Sequence, residues 1–105
     1  MKRLFLLVAV AALALALAGC AAAPDNVTVH ITDTGFNPTT VAVKVGGTVN
    51  WVNDGKIAHT ATSLANFDSQ SIYPGENYSH VFDTKGTYEV VCRFHTQERS
   101  TVVVK

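Results

Sequence analysis

Three residues near the end of the chain carry metal-binding side chains at regular spacing: Cys92, His95 and Glu98. Thiolate, imidazole and carboxylate groups are the usual protein ligands of transition metals. Cys92 ends an alternating run at 88–92, in which period-two geometry turns Tyr88, Val90 and Cys92 to one face. The pattern therefore predicts a thiol that points inward, followed by a short loop with two more candidate ligands before a strand at 101–104.

The beginning of the chain has the composition of an export signal. Two basic residues precede an apolar stretch at 4–17, which is short for a transmembrane helix. The stretch ends in Leu17-Ala18-Gly19-Cys20, which resembles the bacterial lipobox. The sequence therefore predicts a lipoprotein signal peptide at 1–19 and a lipidated Cys20 with a short tether at 20–26. The protein would be extracytoplasmic and lipid-anchored to a bacterial membrane; the alternative is an ordinary secretory signal with an incidental Cys20.

The chain has only two cysteines, Cys20 and Cys92. If Cys20 is acylated, Cys92 has no intramolecular partner. An unpaired thiol in an exported protein indicates intermolecular pairing, reactivity or metal binding. The simpler interpretation is a buried structural cysteine, because free cysteines are among the most buried residues.

The remaining residues, 27–105, are predicted to form one all-β domain. The run at 27–33 alternates, with Val27, Val29 and Ile31 facing the core and His30 facing solvent. A tight hairpin at the glycine pair 46–47 would mix polar and apolar residues on both faces, so we expect a bulge there or a chain that changes sheet.

The sequence allows more than one environment for two further histidines, His59 and His80. His59 lies where a loop enters an extended segment, a place where a hydrogen-bonded rim histidine is common. His80 shares a strand face with Tyr78 and Phe82, which predicts either a partnered buried histidine or an edge residue. The segment at 63–73 has no helical pattern and is predicted to be a long loop. About seven to eight strands with frequent turns predict a Greek-key β-sandwich.

Composition excludes some partners and activities. The chain has 8 Lys and Arg residues against 8 Asp and Glu residues, with no basic patch or arginine run. A nucleic-acid partner is therefore not expected. Cys92 and His95 could imitate a thiol nucleophile and its base, but the thiol faces the core and no substrate-positioning motif accompanies it. We therefore expect that the protein is not an enzyme. We also expect it to be a monomer.

Several short motifs occur together in the order and spacing of one family. The sequence resembles the cupredoxin family, specifically its small plastocyanin and amicyanin type. This resemblance implies that His59, Cys92 and His95 are equatorial ligands of a copper cofactor, and that the protein transfers single electrons between redox partner proteins. Thr60, beside His59, is expected to support that ligand from behind the metal site. The motifs are Phe36-x-Pro38, Val45-Gly46-Gly47-Thr48-Val49-Asn50-Trp51-Val52-Asn53, His59-Thr60, Phe67-Asp68-Ser69, Tyr73-Pro74-Gly75, Gly86-Thr87-Tyr88 and Cys92-x-x-His95.

The ligand loop departs from the family pattern at the axial position. The family usually places a methionine three residues after the second histidine, where this chain has Glu98. Glu98 would then be a hard axial donor that favours Cu(II), or else a solvated carboxylate near Arg93 or Arg99. Gln97 is a weaker axial candidate, because it lies one residue too early.

Two other functions fit the same residues. One is a copper protein that stores, delivers or senses the ion without shuttling electrons, which a carboxylate ligand favours. The other is a zinc or metal-free module, because two histidines, a cysteine and a glutamate can form a closed tetrahedral zinc site.

Overall fold

The computed structural model describes residues 22–105, all of it strands, turns and connecting segments. The predicted signal peptide at 1–19 and the predicted lipidation site Cys20 lie outside the described residues. Across residues 22–105 there is no helix with the length and apolar character needed to span a membrane.

Within residues 22–105, nine β-strands form two sheets. The four-stranded sheet has the order β2-β1-β4-β7, and the five-stranded sheet has the order β3-β9-β8-β5-β6. The all-β sandwich prediction is confirmed, with nine strands in place of the expected seven to eight. The strands are β1 (Asn26–Thr32), β2 (Gly35–Asn37), β3 (Thr40–Val43), β4 (Gly47–Asn53), β5 (Thr62–Ser63), β6 (Phe67–Asp68), β7 (Asn77–Phe82), β8 (Gly86–Cys92) and β9 (His95–Val104).

The first strands follow the predicted alternation. Val29 and Ile31 are buried while His30 is exposed, and Val27 is only partly buried at the margin of the core. The chain changes sheet between β3 and β4, at Gly46 and Gly47, which is one of the two predicted outcomes. The glycine pair therefore marks a crossing between the layers of the sandwich.

The core lies between the two sheets and includes a cluster of aromatic rings around Trp51. The Trp51 side chain is fully buried, and its ring centroid lies 5.5 Å from that of Phe67, 6.0 Å from that of Tyr78 and 6.4 Å from that of Phe82. Aromatic rings at these separations bury large areas and add specific ring–ring attraction. The cluster thus joins β4, β6 and β7 into one packed unit.

The prediction of an unstructured loop at 63–73 was partly wrong. Ser63 ends β5, and β6 runs antiparallel to β5, with Ser63 opposite Phe67. The reason is the Phe67 side chain, which packs against the core although its sequence neighbours are polar. A strand of two residues is too short to show any periodicity in the sequence.

His80 lies on β7, which is an edge strand, so the prediction of an edge residue is the one that holds. Its ring stacks on Phe67 with a centroid separation of 4.2 Å. Partial burial lowers the pKa of His80 below its ordinary value of 6.5, against a smaller opposing effect of Asp83. His80 is therefore a packing residue.

The turn between β8 and β9 is shorter than the sequence predicted. β9 begins at His95 and not near Thr101, so only Arg93 and Phe94 connect the two strands. Glu98 and Ser100 are buried on the same side of β9 as Val102 and Val104. Because two of these inward positions are polar, the alternation of the strand could not be recognised from hydrophobicity alone.

Candidate metal centre

Four side chains from separate segments meet at one end of the sandwich. His59 Nδ1, Cys92 Sγ, His95 Nδ1 and a Glu98 carboxylate oxygen all lie within 4.8 Å of one another. Cys92 Sγ is 3.8 Å from His59 Nδ1 and 3.8 Å from His95 Nδ1. Glu98 Oε2 is 3.5 Å from His59 Nδ1 and 3.9 Å from His95 Nδ1.

Local structure explains why these four side chains converge. Cys92 is the last residue of β8 and is fully buried, and a register shift between Val91 and Cys92 brings Cys92 opposite His95 at the start of β9. Glu98 follows on the inward face of β9. His59 comes from the segment before β5, where its backbone forms an isolated bridge with Ile72.

Thr60 connects the His59 segment to the β8–β9 turn. Its side chain is fully buried, and its Oγ1 accepts a hydrogen bond of 2.9 Å from the backbone N–H of Arg93. The Arg93 guanidinium in turn pairs with Asp68 on β6. This hydrogen bond holds the His59 segment next to the turn that separates Cys92 from His95.

Glu98 is buried, with 8% of its surface exposed. Arg99 pairs with Glu89 and Arg93 pairs with Asp68, so neither arginine forms an ion pair with Glu98. The interpretation of Glu98 as a solvated carboxylate paired with an arginine is therefore wrong. Its neighbour Gln97 is exposed.

The Glu98 carboxylate has an unusual environment for a buried charged group. Its Oε2 atom is buried and has no hydrogen-bond partner among the residues that the structure describes. An unpaired buried carboxylate oxygen is costly, because it loses its hydration without a replacement. The atom faces the two imidazoles and the thiol, so a cation bound among these groups would satisfy it.

The donor separations test whether one ion fits the four groups. Donors at zinc-type bond lengths of about 2.0–2.3 Å from a common ion lie roughly 3.3–4 Å from one another. Four of the six donor separations, 3.5 to 3.9 Å, fall in that range, and all six lie within 4.8 Å. The arrangement of one sulfur, two imidazole nitrogens and one carboxylate oxygen therefore fits a single transition-metal ion.

The far side of His59 contacts a residue that the sequence analysis missed. Asp33, in the turn between β1 and β2, has its Oδ1 atom 2.9 Å from His59 Nε2. Two hydrogen bonds hold the pKa of Asp33 below its ordinary value of 3.8. The larger effect comes from the His59 ring and the smaller one from the backbone N–H of Lys56. No local pattern marks Asp33, because a Thr-Asp-Thr-Gly segment is ordinary turn chemistry.

Comparison with known proteins identifies the family to which this fold belongs. The sequence matches the Cupredoxin-like domain family over residues 4–104. It is 37% identical to plastocyanin from Scenedesmus fuscus over 57% of this chain and 74% of that protein. The chain belongs to the cupredoxin-like family, as its motifs predicted.

Solved structures of the same fold support this assignment. A purple cupredoxin from Nitrosopumilus maritimus superposes with a TM-score of 0.72 at 26% identity, covering 75% of this chain and 99% of that one. A variant of amicyanin in its reduced Cu(I) form superposes with a TM-score of 0.72 at 28% identity, covering 80% of this chain and 86% of that one. These likenesses, with the group of four side chains, confirm the predicted copper cofactor.

Proposed function

We propose that the protein is a membrane-tethered, extracytoplasmic carrier of single electrons that holds one copper ion through His59, Cys92, His95 and Glu98. The observation that carries this proposal is the convergence of these four donors, with a buried Glu98 oxygen that has no other partner among the described residues. Membership of the cupredoxin-like family supports it.

The donor set matches the chemistry of one-electron transfer. Copper bound there would supply a Cu(II)/Cu(I) couple, because soft thiolate favours Cu(I) while imidazole also binds Cu(II). Cys92 and His95 lie on paired strands, and the Thr60 hydrogen bond ties the His59 segment to them. Ligands held in this way would move little when the charge of a bound ion changes, which would keep the reorganisation on electron transfer small.

Glu98 is assigned the axial position. It occupies the place at which the family usually has a methionine, and it contributes a hard anionic oxygen. Such a donor stabilises the higher oxidation state, and axial ligands tune the potential of sites of this kind. We therefore expect a lower reduction potential than that of a variant with methionine at this position.

Electrons are proposed to enter and leave beside His95. Its side chain is 33% exposed, whereas that of His59 is fully buried, so His95 provides the ligand edge that reaches the surface. Phe94 next to it is 49% exposed and adds an apolar contact for a redox partner protein. The partner is thus expected to dock over the β8–β9 turn.

The membrane tether is proposed from the sequence of residues 1–26. A lipidated Cys20 would leave only a few residues before β1 begins at Asn26, so the domain would stay close to the lipid surface. Mass spectrometry of the mature protein tests this, because an acylated cysteine at the N-terminus is expected and a free one would contradict the anchor.

Voltammetry of the copper-loaded protein separates electron transfer from storage or delivery. A carrier gives a reversible one-electron wave and keeps its copper in the presence of a competing chelator. A sluggish or irreversible wave, with rapid loss of copper to the chelator, would instead identify a storage or delivery protein. Metal analysis of protein isolated from its own compartment decides between copper and zinc.

Replacing Glu98 with methionine is expected to raise the reduction potential and strengthen the visible absorption of the copper protein. The reason is that a soft, neutral thioether replaces an anionic oxygen that favours Cu(II). The measurement is a potentiometric titration with a visible spectrum at each point.

Gln97→Met provides the matched control, because Gln97 is the exposed neighbour of Glu98 and receives the same side chain outside the site. We expect this variant to keep the potential and spectrum of the wild type. Equal potentials and spectra in Glu98→Met and Gln97→Met would show that Glu98 does not act on the metal.

A further inference from the structure

The two ring nitrogens of His59 face different groups. Nδ1 faces the candidate metal centre, 3.5 Å from Glu98 Oε2 and 3.8 Å from Cys92 Sγ. Nε2 faces away from it, 2.9 Å from Asp33 Oδ1. An ionised carboxylate can only accept a hydrogen bond, so a neutral ring that forms this bond has its proton on Nε2, and the lone pair of its Nδ1 then faces the metal centre.

The Asp33 carboxylate is held in place from the side opposite His59. The backbone N–H of Lys56 donates to both of its oxygens, at 3.0 Å and 2.9 Å, and that of Ile57 approaches Oδ1 at 3.4 Å. These donors belong to the connection that follows β4. Asp33 therefore has little freedom to turn away from the His59 ring.

The connection itself is fixed by Asn53 at the end of β4. The Asn53 side chain is buried, accepts a hydrogen bond of 2.8 Å from Gly55 N–H, and donates to the carbonyl oxygens of Ile57 and Ile72 at 2.9 Å and 2.8 Å. Ile72 is the bridge partner of His59. One buried amide thus ties together the connection that holds Asp33 and the segment that holds His59.

Gly55 leaves the space that the Asp33 carboxylate occupies. A Cβ atom at position 55 would overlap Asp33 Oδ1, the same oxygen that accepts the hydrogen bond from His59. Glycine is needed here for space, and its backbone conformation is ordinary. An alanine at 55 therefore displaces Asp33 without changing its chemistry.

We propose that Asp33 is a positioning residue that fixes the tautomer of His59 and, through its negative charge, makes the imidazole a stronger donor toward the metal. The proposal rests on the copper site described above. A carboxylate behind a metal-binding histidine orients the ring and raises its basicity. The extra negative charge stabilises Cu(II) more than Cu(I), so Asp33 lowers the reduction potential.

A purely structural role makes a different prediction. If Asp33 served only to accept the backbone hydrogen bonds of Lys56 and Ile57, its replacement would change stability and leave the potential unaltered. Asp33→Asn separates the two roles, because the amide oxygen can still accept these hydrogen bonds while the negative charge is lost.

The first measurement uses full-length Asp33→Asn protein loaded with copper. Loss of such a hydrogen-bond partner typically costs about 10–100-fold in metal affinity. We expect the affinity for Cu(II) to fall about tenfold relative to the affinity for Cu(I). For a one-electron couple, a tenfold change is a rise in potential of about 59 mV. Gly55→Ala is expected to raise the potential too, because it pushes Asp33 away from His59.

Asp54→Asn is the matched control. Asp54 is half-exposed in the same corner of the molecule and pairs with His30, so its replacement removes the same charge without touching His59. We expect the reduction potential of Asp54→Asn to stay close to that of the wild type. Equal potentials for Asp33→Asn and Asp54→Asn would overturn the proposal, because the effect would then be one of general charge.

The second measurement needs no metal. Nitrogen NMR of the metal-free, full-length protein at about pH 8, above the ordinary pKa of histidine, reports which nitrogen of His59 carries the proton. We expect Nε2 in the wild type and a mixed or reversed tautomer in Asp33→Ala. A proton on Nδ1 in the wild type would overturn the proposal, and failure of the protein to bind copper would overturn only the function proposed above.

Discussion

Replacing Cys92 with serine is expected to abolish the intense visible absorption of the copper-loaded protein and the reversible one-electron wave. Cys92 supplies the only sulfur among the four donors, and its Sγ lies 3.8 Å from each imidazole nitrogen. A serine hydroxyl does not ionise near neutral pH and is a hard donor, so it cannot replace thiolate as a ligand for Cu(I). Absorption spectroscopy and voltammetry at equal copper occupancy measure the effect.

The control for this variant is the unfolding of the metal-free protein. Cys92 is fully buried, so a serine there leaves a polar group without water, at a cost of about 1–3 kcal/mol. Cooperative unfolding in urea would show that the variant still folds and that its spectral change comes from the missing thiolate. A folded variant that keeps the visible absorption and the potential of the wild type would rule out Cys92 as the ligand.

Replacing Trp51 with alanine is expected to lower the free energy of unfolding by about 3–5 kcal/mol. Trp51 is fully buried and its ring lies against Phe67 from β6 and against Tyr78 and Phe82 from β7. Removing the indole leaves a large cavity between the sheets, and these neighbours cannot close it. Urea denaturation of the metal-free protein measures the loss.

Trp51→Phe is the matched control for this cavity. It keeps an aromatic ring and removes the indole Nε1–H, which has no hydrogen-bond partner among the described residues. The loss of ring volume destabilises the fold, whereas the loss of an unpaired buried donor stabilises it. We therefore expect the free energy of unfolding to fall by less than about 1.5 kcal/mol. A cost below about 1 kcal/mol for Trp51→Ala would contradict the packing described here.

The sequence predicted those parts of the site that follow from local geometry. The alternation at 88–92 was enough to place Cys92 inward, because each strand residue faces opposite to its neighbour. At the glycine pair 46–47 a tight hairpin would have mixed polar and apolar faces, so the sequence predicted either a bulge or a change of sheet, and the structure has the change of sheet. Both results depend on short-range backbone geometry, which a single strand already contains.

Other parts depend on contacts that no local pattern shows. His59 looked like a rim histidine, and only the family resemblance singled it out as a ligand. Glu98 lies on the inward face of β9, but it is polar, so the strand appeared to begin later than it does. Asp33 and His59 are 26 positions apart and meet only because the turn after β1 lies beside the connection that follows β4.

The family comparison and the structure support different parts of the account. Membership of the cupredoxin-like family explains the sandwich and the copper cofactor. The structure shows the buried Glu98 carboxylate beside the other three donors and the Asp33 carboxylate behind His59. Both carboxylates bring negative charge toward the candidate metal centre, so each is expected to lower the reduction potential of bound copper.

X-ray absorption spectroscopy at the copper edge tests the central claim most directly, because it identifies the atoms bound to the metal. For the full-length protein loaded with one equivalent of Cu(II), we expect one short copper–sulfur contact, the scattering pattern of two imidazole rings and one oxygen. The sulfur contact should be absent from Cys92→Ser. A wild-type spectrum with only nitrogen and oxygen neighbours, or with a single imidazole, would contradict the site described here.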